Sequence, residues 1–497
     1  MNISQLFLDA AEKYPDRLAI IDPKQGISYA DLQKDVLETA AYFRSKGIQK
    51  GDRVLVFVPM SVDLYRIVLA LFYCGATAVF LDAWVNKKRL ELCCQIADCK
   101  GFIGVPKARI FAWFSRELRR IPIKLAMKKQ HSKIGEIESV SNDDSALITF
   151  TTGSTGRPKA ADRTHGFLKE QFDALIDEID PKVQDVDMPV LPIVLFVNLG
   201  VGCTSVIANF KMSKPETMES QKLVEQIQNH KVNRITASPF IVEQLAKKTS
   251  DKSVFDAIEK VFTGGAPVFP SQAKLLKGAF SNAAVNIVYG STESEPISSI
   301  EAVELIANED QVSEGLPVGH IYHKTELRIV KISEDAIPTA TPDELNNLTL
   351  EDGTIGEIIV AGPHVLKRYF NNEEAFKKNK IVVGDTIWHR TGDSGFYKDG
   401  ELYLTGRCQQ LIYSNETILS PFIIENRLQE IPGVTMGTLL EINSKLILVL
   451  EGIHALEHDQ KESLNLPFDE IKFKEIPRDP RHNSKIDYSA LKSKLTV

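Results

Sequence analysis

The sequence predicts an α/β protein of more than one domain, and three observations carry that reading. Apolar runs of strand length alternate with amphipathic, helix-length stretches from the first residues onward. That alternation builds a parallel sheet covered by helices. At 497 residues the chain is too long for one ordinary core. A hydrophobic content of 43% and a charged content of 25% are those of a globular chain. The net charge of −7 and a pI near 5.9 argue against nucleic acid as the main partner.

Cys74, Cys93, Cys94, Cys99, Cys203 and Cys408 form no Cys-x-x-Cys pair and have no histidine at zinc spacing. Reduced, structural thiols in a cytoplasmic protein are the expectation. The opening Met1-Asn2-Ile3-Ser4-Gln5 lacks a basic and apolar leader pattern, and no run of eighteen apolar residues exists. Neither a secretory leader nor a membrane span is therefore expected.

In order, residues 3–21 read as an amphipathic helix running into a short strand, with Pro15 at the break. Residues 26–32 end a hairpin and cap a helix that reaches about Ser45. Gly51-Asp52-Arg53 turns the chain into a buried strand, Val54-Leu55-Val56-Phe57-Val58, which Pro59 ends. A helix to Gly75 and a strand at residues 77–81 complete this alternation. Residues 107–133 then hold nine Lys/Arg against one acid, Glu117, with Phe111, Trp113, Phe114, Leu118, Ile121, Ile123 and Leu125 interleaved. One reading is a basic amphipathic helix in weak contact with an anionic membrane surface. The other, favoured by the break at Pro122, is a solvated helix packed on the main domain with its charges outward.

The sharpest signal follows Ala146-Leu147-Ile148, a buried-strand run. Thr151, Thr152, Ser154 and Thr155 supply hydroxyls, Gly153 and Gly156 allow close backbone approach, and Arg157 and Lys159 add positive charge. Consecutive N–H groups in such a loop can point at one anion, which makes a phosphate cradle. Taken alone, the loop also fits a solvated turn. It is not the G-x-x-x-x-G-K-[ST] loop, because Gly156 is followed by Arg-Pro-Lys. Residues 167–179 read as a helix. The stretch Pro189-Val190-Leu191-Pro192-Ile193-Val194-Leu195-Phe196, followed by Gly200-Val201-Gly202, fits a core strand or the lining of an acyl pocket formed by Leu195, Phe196 and Gly200.

Arg234-Ile235-Thr236-Ala237 and Lys260-Val261-Phe262-Thr263 begin two strand-to-turn units, the second ending in Gly264-Gly265-Ala266-Pro267. In Val288-Tyr289-Gly290-Ser291-Thr292-Glu293 the aromatic ring can cover a purine and Thr292 can donate to a phosphate. Glu293 offers Mg²⁺ a hard oxygen. The hydroxyls also fit a helix capped by Ser291 and Thr292. Asp393, after the turn Thr391-Gly392, is suited to accept from two ribose hydroxyls.

Thr151-Thr152-Gly153-Ser154-Thr155-Gly156-Arg157-Pro158-Lys159 matches T-[ST]-G-[ST]-T-G-x-P-K, and the later motifs follow in order. On these residues the chain resembles the adenylate-forming superfamily of acyl-CoA synthetases, peptide-synthetase adenylation domains and luciferases, over about residues 5–492. The resemblance implies an α/β fold with a large N-terminal domain of helix-covered mixed sheets and a small α+β C-terminal lid domain. It implies boundaries at 1–406, a hinge at 407–410, and 411–497. It implies an AMP-forming ligase that uses ATP and Mg²⁺ to activate a small-molecule carboxylic acid, fatty or β-hydroxy fatty. Lys485, Glu293 and Thr292 would be catalytic, with Glu293 on the metal. Residues 151–156, Lys159, Gly264, Gly265, Ala266, Pro267, Tyr289, Gly290, Ser291, Asp393 and Arg407 would bind ATP.

The chain departs from the superfamily pattern at four places. Leu195 and Phe196 stand where a histidine is frequent. Gln409 replaces the hinge Asp or Lys, and Asn483-Ser484 replaces the glycine before Lys485. Glu416 stands where the loop passing a pantetheine thiol carries glycine. Residues 191–200, Pro296-Ile297-Ser298-Ser299-Ile300, Trp388-His389-Arg390 and Arg481-His482-Asn483-Ser484-Lys485-Ile486 look like the olefin-pathway β-lactone synthetases. That resemblance implies closure of a β-hydroxy acyl-adenylate to a lactone. An acyl-CoA or acyl-carrier-protein ligase is the alternative, so the use of CoA stays open. A non-catalytic nucleotide-binding relative is disfavoured by the presence of Lys485, Glu293 and Asp393.

Overall fold

A computed structural model describes residues 1–81, 87–130, 135–151, 158–212, 214–337, 339–414, 417–457, 464, 466–479 and 484–496. Two sheets with parallel cores and one antiparallel sheet make a large N-terminal domain, and a smaller domain follows. The central sheet has nine strands. In it Leu18–Ile21, Thr204–Val206, Val186–Pro189, Arg234–Ala237, Lys260–Gly264 and Ala284–Ser291 run parallel in that spatial order. Ser294–Glu301 returns antiparallel beside Ala284–Ser291. The second sheet runs Ile123–Leu125, Gly101–Gly104, Arg53–Phe57, Thr77–Phe80, Ser145–Thr151, all parallel, and ends on the antiparallel strand Lys159–Thr164. Parallel strands need helical crossovers, and the alternation at the start of the chain provides them. One crossover is Val62–Tyr73, capped by the Ser61 hydroxyl, between the parallel strands Arg53–Phe57 and Thr77–Phe80, whereas Tyr29–Ser45, capped by the Ser28 hydroxyl, carries the chain from the central sheet to the second.

The third sheet is antiparallel: Leu316–Pro317, Glu401–Arg407, the long strand Thr386–Lys398, Gly356–Ala361 and Glu326–Val330, with Lys380–Val383 paired to the long strand. Beyond it lie the 3₁₀ turn Cys408–Gln410, a two-stranded hairpin, the helix Pro421–Gln429, a three-stranded sheet and the helix Tyr488–Thr496. This smaller unit packs on the larger one. Ser420 Oγ donates to Thr405 O at 2.7 Å, Phe422 meets Phe269 edge-on at 6.1 Å, and Phe240 N–H donates to Ser484 Oγ at 3.2 Å. Among the described residues no helix is long and apolar enough to cross a membrane.

Three local expectations are corrected. Among the described residues of 107–133 there is no single long helix. Helices Pro106–Phe114 and Arg116–Arg120 are followed by the strand Ile123–Leu125, because Ser115 starts a second cap and Pro122 blocks further helix. The apolar stretch after Pro189 is not a strand, because Pro192 occupies the first turn of the helix Pro192–Val201 and presets its φ. Ser291 and Thr292 cap no helix, since the chain reverses at Thr292-Glu293 into an antiparallel hairpin.

A buried ion cluster ties the central sheet to the helix Pro192–Val201. The Arg234 guanidinium is fully buried, lies 2.6 Å from Asp185 and 3.5 Å from Asp187, and donates to Asn198 Oδ1. Asn198 in turn donates to Asp187 at 2.8 Å and to Ser205 at 3.0 Å. Removing one partner of such a cluster leaves an uncompensated buried charge. Arg234→Met is therefore expected to destabilise the large domain by about 3–5 kcal/mol in urea unfolding. A loss below about 1 kcal/mol would mean that the cluster does not hold the sheet.

Candidate active site

Three neighbouring parallel strands, Arg234–Ala237, Lys260–Gly264 and Ala284–Ser291, end side by side. In open α/β sheets ligands collect outside such carboxyl ends. The start of the helix Pro239–Lys248, the loop Gly264-Gly265-Ala266-Pro267 and the Ser291–Ser294 turn all lie on this edge. The two glycines answer to backbone geometry. A Cβ on Gly264 would lie 2.3 Å from Val288 O, and Gly265 has φ +85°.

One group of predicted residues comes together as a trio. Tyr289 donates to Asp393 Oδ2 at 2.8 Å, and Arg407 Nε lies 3.1 Å from Asp393 Oδ1. Asp393 and Arg407 are cross-strand partners. Gly392, at φ +71°, makes the local turn that lets Asp393 N–H reach Thr391 Oγ1. Burial pushes the Tyr289 phenol well above its ordinary value, and the Asp393 charge adds to the rise. Each Asp393 oxygen keeps a second lone pair, so the trio can still accept hydroxyl donors.

The second group is built around Glu293. Its turn is held by Arg163, which donates to Thr292 O at 3.2 Å, and by Leu366 N–H, which donates to Glu293 O at 2.7 Å. The side chain is buried and accepts from Tyr369 Oη at 3.2 Å, with Lys159 Nζ at 3.7 Å. Burial pushes this carboxyl up, but the basic side chains around it, Lys159 foremost, together with the Tyr369 hydrogen bond outweigh it and hold the group at about 2. Lys380 is fully buried and donates to Leu366 O. Both lysine ammoniums sit 5.6 Å from the Tyr369 ring centroid. His389, the strand partner of Lys380, is buried and held well below its ordinary value, hence neutral. Its Nδ1 is 3.2 Å from Asn379 O, which can only accept, so Nδ1 carries the proton and Nε2 is an acceptor. The same Asn379 receives Lys159 Nζ on Oδ1 at 3.1 Å.

The sequence reading missed Lys380, Tyr369 and Asn379. The available signal was a lysine opening the apolar run Ile381-Val382-Val383, directly before the Trp388-His389-Arg390 strand. Arg390 is taken up in a buried pair with Glu357 at 2.6 Å and has a bracing role. Lys485 lies in a segment whose backbone is pinned to Asp479 by bonds of 2.9 and 3.2 Å, and the adjoining Ser484 reaches the start of the helix Pro239–Lys248. That brings the segment to the same carboxyl edge. Residues 152–157, the Thr151 side chain, residues 415–416 and residues 481–483 lie outside the described residues. Thr151 closes its strand opposite Lys159. Leu195 is buried in the main core, Phe196 packs on Tyr65 and Phe72 at 4.9 and 6.0 Å, and Gly200 fits under the Phe172 ring. Leu195 therefore faces packing, whereas Phe196 is half-buried.

The Lys380 ammonium is held down at about 7, against an ordinary 10.5, by burial, with Glu293 pulling the other way and Lys159 adding to the fall. Between these two values the unfolded chain binds a proton that the native state does not. Wild-type stability relative to Lys380→Met is therefore expected to rise with pH from about 7 to about 10, on the order of 1 kcal/mol per unit. Urea midpoints of both proteins at three pH values measure this, and a pH-independent difference would contradict it.

Residues 7–370 match the model of a family described as AMP-binding enzyme. The chain is 28% identical over 459 residues to an olefin beta-lactone synthetase of Xanthomonas campestris pv. campestris, covering 85% of this chain and 81% of that one. It is 27% identical over 479 residues to an olefin beta-lactone synthetase of Stenotrophomonas maltophilia, covering 89% and 86%. Its fold is similar to that of an O-succinylbenzoate coenzyme A synthetase from Bacillus subtilis in complex with AMP, at a TM-score of 0.80, 21% identity and 98% coverage of both chains. The chain belongs to the AMP-binding enzyme family and is an acyl-adenylate-forming ligase.

Proposed function

We propose that this enzyme activates an apolar β-hydroxy carboxylic acid with ATP and then closes the acyl-adenylate to a β-lactone. The observation that supports it best is the buried, ionised Glu293 between two lysines, beside the Tyr289–Asp393–Arg407 trio on one sheet edge. In this reading the trio takes the ribose and Tyr289 covers the adenine. Gly264, Gly265, Ala266 and Pro267 flank the base. Residues 151–156 and Lys159 cradle the phosphates, with Thr292 donating to the α-phosphate. Glu293 fits Mg²⁺ as an ionised hard oxygen, and that ion would neutralise phosphate charge. A hinge at residues 407–410 would let the unit 411–497 bring Lys485 to the reacting centre.

Both steps balance simply. The substrate carboxylate attacks the α-phosphorus, the α–β P–O bond breaks, and pyrophosphate leaves. Repulsion between anions is the main barrier, and Lys159 and Lys485 oppose it. The β-hydroxyl oxygen then attacks the acyl carbon, the bond from that carbon to the bridging oxygen breaks, AMP departs with the bridging oxygen, and the hydroxyl proton passes to solvent. This second step needs no co-substrate, because the hydroxyl is tethered near the carbonyl. The names of the two β-lactone synthetase relatives support this route. The sequence adds support, since Glu416 stands where the superfamily's loop passing a pantetheine thiol carries glycine. The coenzyme A synthetase likeness supports the rival thioester route.

Lys485→Ala is expected to lower acid-dependent pyrophosphate exchange by about 10²–10³, while calorimetric ATP binding persists. Exchange within a few-fold of wild type would remove Lys485 from the reaction. For the product, enzyme, ATP, Mg²⁺ and a long-chain 3-hydroxy acid are incubated with and without CoA and examined by mass spectrometry. AMP and a neutral lactone without CoA are expected. A strict CoA requirement with acyl-CoA as product would overturn the lactone reading and leave adenylation standing.

A further inference from the structure

The helix Pro106–Phe114 is amphipathic in the reverse of the usual sense. Its inward stripe is small, with Ala108 half-buried and Ala112 buried over the strand Gly101–Gly104. Its outward face is large and apolar: Ile110 is 63% exposed, Phe111 46%, Trp113 79% and Phe114 75%. Of the eight large hydrophobic side chains exposed among the described residues, these four fall within five positions, so they form a patch rather than scatter.

Exposed cations flank the patch along the chain. Lys107 and Arg109 are exposed on the same helix, and Arg116, Arg119 and Arg120 on the next, Arg116–Arg120. The one acid in this stretch, Glu117, is half-buried and paired with Arg120 at 3.3 Å. The patch is held in place from beneath. Leu118 and Ile121 are buried, the Ser115 hydroxyl caps the second helix, and Lys124 Nζ donates to Leu118 O at 2.7 Å. The chain as a whole carries a net charge of −7, so this positive face is a local feature.

We propose that this face docks the enzyme on an anionic phospholipid bilayer. Trp113, Phe114, Ile110 and Phe111 enter the boundary between headgroups and acyl chains, and the flanking cations meet lipid phosphates. A tryptophan amid cations matches the amphipathic character of that boundary. A two-fold contact with a second copy would set these cations against themselves, and protein interface cores are depleted in charge. The inference is independent of which acid the site takes.

The test uses the full chain with vesicles of phosphatidylcholine alone and of phosphatidylcholine mixed with phosphatidylglycerol. Flotation with the mixed vesicles is expected, weakening as salt rises. A blue shift of tryptophan emission is expected to accompany it and to disappear in Trp113→Phe, which still floats. The double variant Trp113→Ser, Phe114→Ser is expected to lose binding by about tenfold or more, with an unchanged thermal midpoint. Arg116→Glu with Arg119→Glu is expected to abolish the preference for anionic vesicles. No flotation, or equal flotation of the double variant, would overturn the proposal. So would equal binding to both vesicle types, or a self-association in solution that the double variant abolishes.

Discussion

A carboxylate kept ionised inside the protein is the constraint around which this structure is arranged. Burial alone would protonate Glu293 or drive it to the surface. Lys159, Lys380 and the Tyr369 hydroxyl make the charged form the stable one. Each partner comes from a different part of the chain. Lys159 opens the last strand of the second sheet, Lys380 opens a short strand of the third, and Tyr369 lies on the segment between them. That segment is stitched to both neighbours, by the Ala161–Tyr369 bridge on one side and the Ser294–Val365 bridge on the other. Three sheets are thereby joined at one charge cluster.

The same strands carry the neighbouring trio. Ala284–Ser291 supplies Tyr289 just before the Glu293 turn, and Thr386–Lys398 supplies His389 and then Asp393. The two subsites therefore share two strands, and any shift of one is felt by the other. This suits a nucleotide, whose ribose and phosphates are held at a fixed separation. The carboxyl edge also receives the segment that carries Lys485, through Ser484, so the smaller unit meets the larger one there.

Much of this was legible in the sequence, for physical reasons that differ by element. Strand-to-turn units such as residues 284–293 show apolar runs ended by glycine and hydroxyl residues, and local chemistry decides them. Tyr289, Asp393 and Arg407 were found by motif, and the structure brings them into contact. Lys380 was not legible, because its role comes from pairing with His389 across a sheet and from burial, neither of which a linear pattern records. The stretch that forms the helix Pro192–Val201 stayed open between a core strand and the lining of an acyl pocket, because a segment apolar on every side has no periodicity, although Pro192 carried the signal for a helix start. In residues 107–114 the aromatics interleaved with cations were legible as a basic amphipathic stretch, but not which side chains turn outward, because alanines and aromatics both look apolar in sequence and only packing decides which of them turn inward.

The most direct measurement of this account is the ionisation state of Glu293 itself. Carboxyl-carbon NMR of protein labelled at glutamate, with Glu293→Gln to assign the resonance, reads it at single-residue resolution. The account predicts a resonance that stays at the ionised position down to about pH 4, where exposed glutamates titrate, and that moves when ATP and Mg²⁺ are added. A Glu293 resonance that titrates with the exposed glutamates, or that is protonated at neutral pH, would contradict it.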